Sequence, residues 1–340
     1  TLGGVVVSAP TAPSAPDTAT WTVVENSWDP QRANYFETIL TVGNGRLGTR
    51  GSLEERHTGA LPGTFLAGVY DDYDSPVTDL VNAPDWLDTE VYVNGTRLDP
   101  ESAPITAHRR ELDLRTGVLT RDTTFLVDGS PVLLHTERFA SMADRNLCGL
   151  RITVTPLERA AGVFIRTGVD AHRRNLERLP AYPDGTTFGP DRKWDKWALS
   201  THLHSTGSEQ RGPVGLIGTR TISSDVAIVY GMRTDTDPTA DLTRHHRGHE
   251  RVSDEADFSE VRAGASVTVD KLVGIATGRD PGSDAEPAAR AEATVLAAPG
   301  FDEAKAESVR RWQQLWADAD CEIVGDDKAA HAVRFSIYHL

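Results

Sequence analysis

Apolar and polar residues alternate along most of the chain from Trp21 to about Thr277. This period of two is typical of β-strands that have one buried face. Turn pairs such as Asn94-Gly95 and Asp128-Gly129 separate successive runs, and connections this short join antiparallel strands. The pattern therefore predicts a mainly β fold, a large antiparallel β-sandwich. The predicted strands are 21–25, 90–93, 96–98, 118–127, 132–139, 147–155, 163–169, 197–204, 214–221, 226–232 and 266–277.

Helical patterns replace the alternation after Gly278. The alanine-rich stretch 285–298 stops at Pro299-Gly300, as a helix does, and a second helix begins at Asp302. A third pattern spans 326–340. The apolar face of the second pattern contains Val309, Trp312, Leu315 and Trp316. The apolar face of the third pattern contains Ala330, Val333, Ile337 and Leu340. Because nothing after Leu340 buries the last stripe, we expect the chain to be the front part of something longer.

These patterns divide the chain into four predicted parts. Residues 1–20 form a flexible tail rich in proline, alanine and threonine, and residues 21–278 form the β-sandwich domain. Residues 279–322 form a helical linker, and residues 323–340 begin a further helical domain. The apolar run in the tail is too short for a secretory signal and no basic residue precedes it.

Four glycines lie close together in the segment Phe36–Glu55, and they indicate backbone that bends sharply or lies against another part of the chain. Gly43, Gly45 and Gly48 match the GxGxxG spacing of dinucleotide sites. However, Thr49-Arg-Gly-Ser interrupts the helix that such a site needs. We therefore interpret the segment as an apolar strand with a glycine-rich connection to the next strand.

Composition excludes several classes of partner. The 340 residues carry a net charge of -15, with 50 acidic and 35 basic residues, so the chain repels the phosphate backbone of nucleic acids. No apolar run in the sequence is long enough to cross a membrane. The two cysteines, Cys148 and Cys321, lie far apart, and one pair would be a poor scaffold for a chain of this size. We expect Cys148 to be a buried thiol in a cytoplasmic protein.

The glycine-rich segment contains three candidate substrate-binding residues, Asn44, Arg46 and Arg50. Two roles remain open for the arginines. They donate hydrogen bonds to sugar hydroxyls, or they pair with Glu54, Glu55 or the linker helices, since arginines commonly form bidentate pairs at domain contacts. We favour the ion pairs.

Two tryptophans, Trp194 and Trp197, alternate with charged residues and are further candidates for sugar binding. Sugars stack on indole faces, but amphipathic rings of this kind more often seal the edge of a sandwich or a domain interface. We favour the structural role.

Acidic residues at 54–55 and at 71, 72 and 74, and histidines at 202–204 and 245–249, are candidate catalytic or metal-binding groups. Neighbours on a strand point to opposite faces, so residues 54 and 55 do not form the opposed carboxylates that glycoside cleavage requires. We interpret both acidic groups as solvated turns. The histidines of 202–204 share one side of a strand, and those of 245–249 lie in a loop whose arginines repel a cation. We predict no metal site.

Five segments in order give the chain a family resemblance. They are Phe36–Glu55 with its sequence Val-Gly-Asn-Gly-Arg-Leu-Gly-Thr-Arg-Gly, Pro62–Tyr70, Ala83–Leu87, Arg109–Val118 and Glu137–Ser141, and the final Arg334–Leu340 is a further match. Together they resemble the amino-terminal domain of glycoside hydrolase family 65, the maltose, trehalose, kojibiose and nigerose phosphorylases and their hydrolase relatives. The resemblance implies a β super-sandwich, a helical linker and the first helix of a truncated (α/α)6 catalytic barrel.

The resemblance also implies a function. In this family a glutamate of the barrel protonates the glycosidic oxygen while inorganic phosphate attacks the anomeric carbon with inversion, and in the hydrolases a second carboxylate activates water. The implied partners are an α-linked glucose disaccharide, phosphate, the barrel and a second copy in a homodimer, with no organic cofactor. No position of this chain matches the catalytic groups, so no catalytic residue is assigned. The alternative is a stand-alone β-sandwich module that binds carbohydrate or another partner.

Overall fold

The computed structural model describes residues 18–73, 78–179, 196–240, 242–247, 250–280 and 286–340. The first ten strands are β1 (Thr22–Glu25), β2 (Val42–Gly43), β3 (Leu47–Thr49), β4 (Thr64–Asp71), β5 (Asp79–Asn82), β6 (Thr89–Val93), β7 (Thr96–Arg97), β8 (Ile105–Asp113), β9 (Val118–Val127) and β10 (Ser130–Ala140). The next ten are β11 (Leu147–Pro156), β12 (Ala161–Asp170), β13 (Asn175–Leu179), β14 (Lys196–Ser200), β15 (Leu203–Arg211), β16 (Val214–Thr221), β17 (Ala227–Asp237), β18 (Leu242–Arg247), β19 (Arg251–Val261) and β20 (Val267–Thr277). The helices are α1 (Ala33–Ile39), α2 (Pro287–Ala297), α3 (Phe301–Ala319) and α4 (Asp327–Tyr338), and a 3-10 turn spans Thr18–Thr20. The rest of the predicted tail, 1–17, lies outside the described residues.

Two large sheets form the sandwich. The nine-stranded sheet has the order β1-β8-β9-β10-β11-β20-β17-β16-β15, and the five-stranded sheet has the order β18-β19-β12-β6-β7. A four-stranded sheet, β2-β3-β4-β5, and the pair β13-β14 complete the strands of the described ranges. Neighbouring strands pair antiparallel in each sheet, so the predicted antiparallel super-sandwich is confirmed. The core between the two large sheets includes Leu134, Ile152 and Val269 from the first sheet and Val91, Ile165 and Val252 from the second.

The short turns follow the sequence closely. Asn94 and Gly95 have φ angles of 49° and 80°, the left-handed values that an Asn-Gly hairpin turn requires, and they join β6 to β7 as predicted. Strands β9 and β16 have the predicted bounds. These elements were predictable because their signals are local.

Two predicted strands are wrong. The apolar residues before Gly43 form helix α1 and its C-cap. Buried Ala33 and Phe36 of the helix and Leu40 of the cap follow the spacing of a helical face. The predicted strand 197–204 is two strands, because the chain changes sheets within it. β14 pairs with β13, whereas β15 pairs with β16 in the nine-stranded sheet.

The helices after β20 pack on the nine-stranded sheet and around its end. Helix α2 lies on the outer face, where a Cβ atom at Gly274 would come within 2.5 Å of the Ala291 oxygen, so a glycine is needed for this close approach. Phe301, at the start of α3, packs on the same outer face. Trp312 and Trp316 of α3 then join a second core cluster that also contains residues of α1, β8 and α4.

Helix α4 has only part of its predicted stripe buried. Ala330 is 4% exposed, Val333 and Ile337 are half-buried, and Leu340 is 99% exposed. The Asp326 side chain caps the helix by accepting a hydrogen bond from the main-chain nitrogen of residue 329 at 2.9 Å. None of the helices in the described ranges has the length and apolar character that crossing a bilayer requires.

Candidate functional site

The residues Gly51–Arg56, which we call the carboxylate segment, follow β3 and lie against three buried arginines of the nine-stranded sheet. Arg110, Arg121 and Arg138 are on the neighbouring strands β8, β9 and β10, and Arg110 is directly opposite Arg121. Arg110 and Arg138 donate hydrogen bonds to main-chain carbonyl oxygens at the start of the segment. The three arginines therefore fix both the backbone and the side chains of the segment.

Glu54 and Glu55 both point into this arginine cluster and are only 5% and 2% exposed. Arg121 holds Glu55 in a bidentate pair, with Nη1–Oε2 and Nη2–Oε1 distances of 2.7 and 2.6 Å, and it also donates to Glu54 at 3.1 Å. Arg138 donates to the other Glu54 oxygen at 3.3 Å. The prediction of a solvated turn is wrong for these residues. The segment is not a β-strand, so its neighbouring side chains do not alternate between opposite faces.

The third arginine of the cluster, Arg110, pairs with the buried Glu25 of β1 at 2.5 Å, so each of the three arginines faces a carboxylate. Burial alone raises the pKa of Glu54, but Arg138 and Arg121 outweigh it, so the pKa of Glu54 lies below its usual value. Burial lowers the pKa of Arg138 to about 10, and the neighbouring Arg110 and Arg121 act in the same direction against the attraction of Glu54. An ionised carboxylate held in this way is not available as a general acid. The cluster therefore joins the carboxylate segment to the nine-stranded sheet and has no geometry for glycoside cleavage.

The second acidic group is also partly buried. Asp71 is 1% exposed and accepts hydrogen bonds from the main-chain nitrogens of 223–224 at 2.9 and 2.7 Å. The solvated-turn interpretation is therefore wrong for Asp71. Asp72 is exposed, and Asp74 lies outside the described residues.

The histidines do not share one site. His202 is buried between β14 and β15, with its Nδ1 atom 3.3 Å from a carboxylate oxygen of Asp71, so its predicted place on a strand beside His204 is wrong. His245 lies in β18 rather than in a loop and pairs with Glu255 at 2.8 Å. His249 is not among the described residues. Across the described ranges, no three metal-ligating side chains gather at one place.

Asn44 is 1% exposed and closes the turn between β2 and β3. Its amide nitrogen donates to the carbonyl oxygens of Ser141 and Arg145 at 2.8 and 3.1 Å, and its side-chain oxygen accepts from the main-chain nitrogens of Arg46 and Leu47. The side chain thus has its hydrogen-bonding capacity filled within the fold. Substrate binding by Asn44 stays a prediction.

Arg46 reaches the beginning of the predicted linker. Its Nη2 atom lies 2.6 Å from Asp280, whose other oxygen accepts from Arg290 of α2 at 3.1 Å. Burial opposes ionisation of Asp280, but the hydrogen bond from Arg46 helps to keep the pKa of Asp280 below its usual value. Arg46 therefore ties the β2–β3 turn to helix α2, as one of the two predicted roles requires.

Arg50 binds a different part of the chain. It donates to the Leu61 carbonyl oxygen at 2.8 Å, to Thr38 at 3.1 Å and to Glu37 at 3.4 Å. The predicted pairing of Arg46 or Arg50 with the carboxylates at 54–55 is wrong, because Arg121 and Arg138 occupy those carboxylates. Arg50 fixes α1 against the loop before β4.

A cleft of about 710 Å³ opens beside Arg50, and we call it the Phe65 cleft. A Cβ atom at Gly63 would lie 2.9 Å from the Phe65 ring and 3.2 Å from the Arg50 side chain, so the absence of a side chain at 63 makes room for both. The cleft combines apolar side chains with three arginines. Its lining is Arg50, Ala60, Leu61, Pro62, Gly63, Phe65, Asp79, Leu80, Asn82, His172, Arg173, Arg174 and Asn175.

The predicted tryptophan candidates cannot be placed in a site. Trp194 lies outside the described residues, and Trp197 lies in β14 with its side chain outside them as well. Sequence reasoning missed Phe65 and Arg174 as site residues. The Pro62-Gly63 pair just before Phe65 was the available signal for that residue, whereas nothing in the local sequence connects Phe65 with Arg174.

The fold is a large β-sandwich with flanking helices, and three arginines of its nine-stranded sheet hold the buried carboxylate segment. The chain belongs to glycosyl hydrolase family 65, because the model of that family's N-terminal domain matches residues 23–315. The resemblance drawn from the sequence is confirmed.

Curated relatives support the same family. A kojibiose phosphorylase from Caldanaerobacter subterraneus subsp. tengcongensis is 26% identical over 332 residues, which are 95% of this chain and 41% of that protein. A maltose phosphorylase from Bacillus subtilis is 23% identical, over 94% of this chain and 42% of that protein. A solved structure described as a proposed kojibiose phosphorylase from the human microbiome matches 95% of this chain and 41% of its own chain. The match has a TM-score of 0.76 at 18% sequence identity, so it shows that the two chains share the fold. The chain spans about two fifths of the length of the relatives it matches.

Proposed function

We propose that the chain is the amino-terminal portion of an inverting phosphorylase or hydrolase that cleaves an α-linked glucose disaccharide. Relatives named kojibiose and maltose phosphorylases support this proposal, since they match 94% or more of the chain. Inorganic phosphate is the proposed co-substrate, with no organic cofactor. The proposed general acid is a glutamate of an (α/α)6 barrel, for which α4 supplies the first helix.

The observation that carries the proposal is the fixed attachment of α4. The Tyr338 ring stacks on Trp312 with centroids 4.9 Å apart, and Arg334 pairs with Asp320 at 2.9 Å. The Arg334 guanidinium also lies 4.0 Å from the centre of the Trp21 ring. These contacts hold α4 in one orientation against the sandwich and the linker. In the proposal, residues 1–340 support the folding of the barrel, the rim of its active site and a cytoplasmic homodimer.

A phosphorolysis assay tests the proposal. Residues 1–340 alone are incubated with kojibiose or maltose and phosphate, and we expect no glucose 1-phosphate. The polypeptide extended by the coding sequence that follows Leu340 should release glucose 1-phosphate, or glucose if it is a hydrolase. Product from residues 1–340 alone would contradict the proposed division of labour. A stop codon directly after Leu340 would favour the independent module instead.

A further inference from the structure

We infer that the Phe65 cleft binds a neutral glucose disaccharide or short oligosaccharide. Its volume of about 710 Å³ lies within the range of small-molecule sites, roughly 300–1,000 Å³. Its lining comes from Arg50, from residues 60–65, which lead into the start of β4, from residues 79–82 of β5 and from residues 172–175 after β12. The argument rests on the chemistry of its lining.

The apolar side of the cleft has one aromatic ring. Phe65 is half-buried in β4, opposite Asn82 of β5, and the glycine at 63 leaves space for the ring to lie beside the Arg50 stem. Leu61 and Leu80 extend this apolar surface. One face of a glucose ring presents C–H groups, and such a face packs on the electron-rich face of an aromatic ring. The Phe65 side therefore suits a sugar ring.

The polar side supplies donors and an acceptor. Arg174 is exposed, and its guanidinium has no partner among the residues that the structure describes. Arg173 is held by Asp170 at 2.7 Å through Nη2, but its buried Nε–H has no acceptor within the described ranges. The Asp79 carboxylate lines the same cleft. Sugar hydroxyls both donate and accept hydrogen bonds, so adjacent hydroxyls match a mixed set of this kind.

The charge balance favours a neutral ligand over an anion. Arg50 is paired with Glu37, and Arg173 is paired with Asp170. Among the arginines of the cleft, Arg174 alone has no carboxylate partner in the described residues, and Asp79 would repel a phosphate. Saccharide binding rests on the cleft itself, whereas the choice of glucose as the sugar rests on the proposed function.

Isothermal titration calorimetry of residues 1–340 with kojibiose and with maltose tests the inference. We expect saturable binding of at least one of them, and we expect Phe65→Ala to weaken it by about tenfold because the stacking face is lost. Phe65→Leu keeps apolar volume without the aromatic face and should give a smaller loss, so it replaces the alanine variant if that variant is unfolded. Arg174→Gln should weaken binding about fivefold. Its matched control is Arg310→Gln, which removes the same charge from an exposed site on α3.

Several results would overturn the inference. They are an absence of saturable binding by the unmodified chain, binding by the Phe65 and Arg174 variants that equals that of the unmodified chain, and binding of inorganic phosphate without binding of either sugar. Binding of a galactose–galactose disaccharide but of neither glucoside would overturn the assignment of glucose. The phosphorolysis assay judges the proposed function separately, because it measures product formation by the extended polypeptide.

Discussion

Replacing Arg121 with methionine tests how strongly the carboxylate segment is held in the sandwich. Arg121 is 2% exposed, and its guanidinium is the partner that the structure gives Glu55. In the variant, Glu54 keeps Arg138, but Glu55 remains buried without a compensating charge among the described residues. Removing one partner of a buried ion pair typically costs about 3–5 kcal/mol. We expect the free energy of unfolding to fall by about this amount, a large part of the roughly 5–15 kcal/mol that stabilises an ordinary domain.

Urea unfolding followed by far-UV circular dichroism measures this loss, and Arg109→Met is the matched control. Arg109 lies on the neighbouring strand β8, next to Arg110, but its side chain is 49% exposed and pairs with Glu111 at the surface. A surface pair contributes about 0–1 kcal/mol, so the control should unfold close to the unmodified chain. Equal midpoints for the two variants would refute the reasoning.

A double variant separates loss of the pair from loss of the arginine. In Arg121→Met with Glu55→Leu, the uncompensated carboxylate is gone and apolar groups replace the pair. Apolar replacement of a whole buried pair is often neutral or stabilising, so the double variant should recover stability relative to Arg121→Met alone. A further loss in the double variant would show that Glu55 has a separate stabilising role.

Two further predictions concern backbone approach and buried charge. Gly51→Ala should lower the free energy of unfolding by about 1–3 kcal/mol, because the added Cβ would lie 2.6 Å from the Leu40 Cβ. In the control Gly48→Ala the added Cβ meets its nearest atom at 3.9 Å, so this variant should unfold near the unmodified chain. Equal melting temperatures for the two variants would contradict this prediction. The Lys271 amine donates a hydrogen bond to the Gly168 carbonyl oxygen, and burial lowers the pKa of Lys271 from 10.5 to about 7. Between these two pH values, Lys271 therefore holds its proton in the unfolded chain and lacks it in the folded chain. Stability relative to Lys271→Met should therefore rise with pH above 7 by up to about 1.4 kcal/mol for each pH unit, and urea midpoints with equal pH dependence in the two proteins would contradict this.

The sandwich was predictable because its main signals are short-range. The Asn94-Gly95 turn fixes a hairpin within a few residues, and the alternation on both sides of Asp128-Gly129 identifies two long strands. Helix α1 was missed because it has only seven residues, too few to distinguish a period of 3.6 from a short apolar strand. Its buried face becomes evident only when Leu40 is seen against the second core cluster.

The burial of the carboxylates was not predictable from their neighbourhood in the sequence. Glu55 and its partner Arg121 are 66 residues apart, and Glu54 and Arg138 are 84 residues apart. In isolation, adjacent glutamates look solvated, because burying them without partners is costly. The Phe65 cleft was missed for the same reason, since residues of four separate segments line it.

The segment Phe36–Glu55, which contributes the longest block of the family resemblance, holds the layers of the scaffold together. Arg46 binds the beginning of the linker, Arg50 binds α1, and the carboxylate segment neutralises arginines of the nine-stranded sheet. The ion-pair partners of these groups all lie within the fold, so we assign none of them a role in proton transfer. The polar side chains of Arg173 and Arg174, on the chain after β12, lie instead in the wall of the open Phe65 cleft. These contacts support the proposal that the chain positions and recognises a saccharide, while the proposed barrel carries out the chemistry.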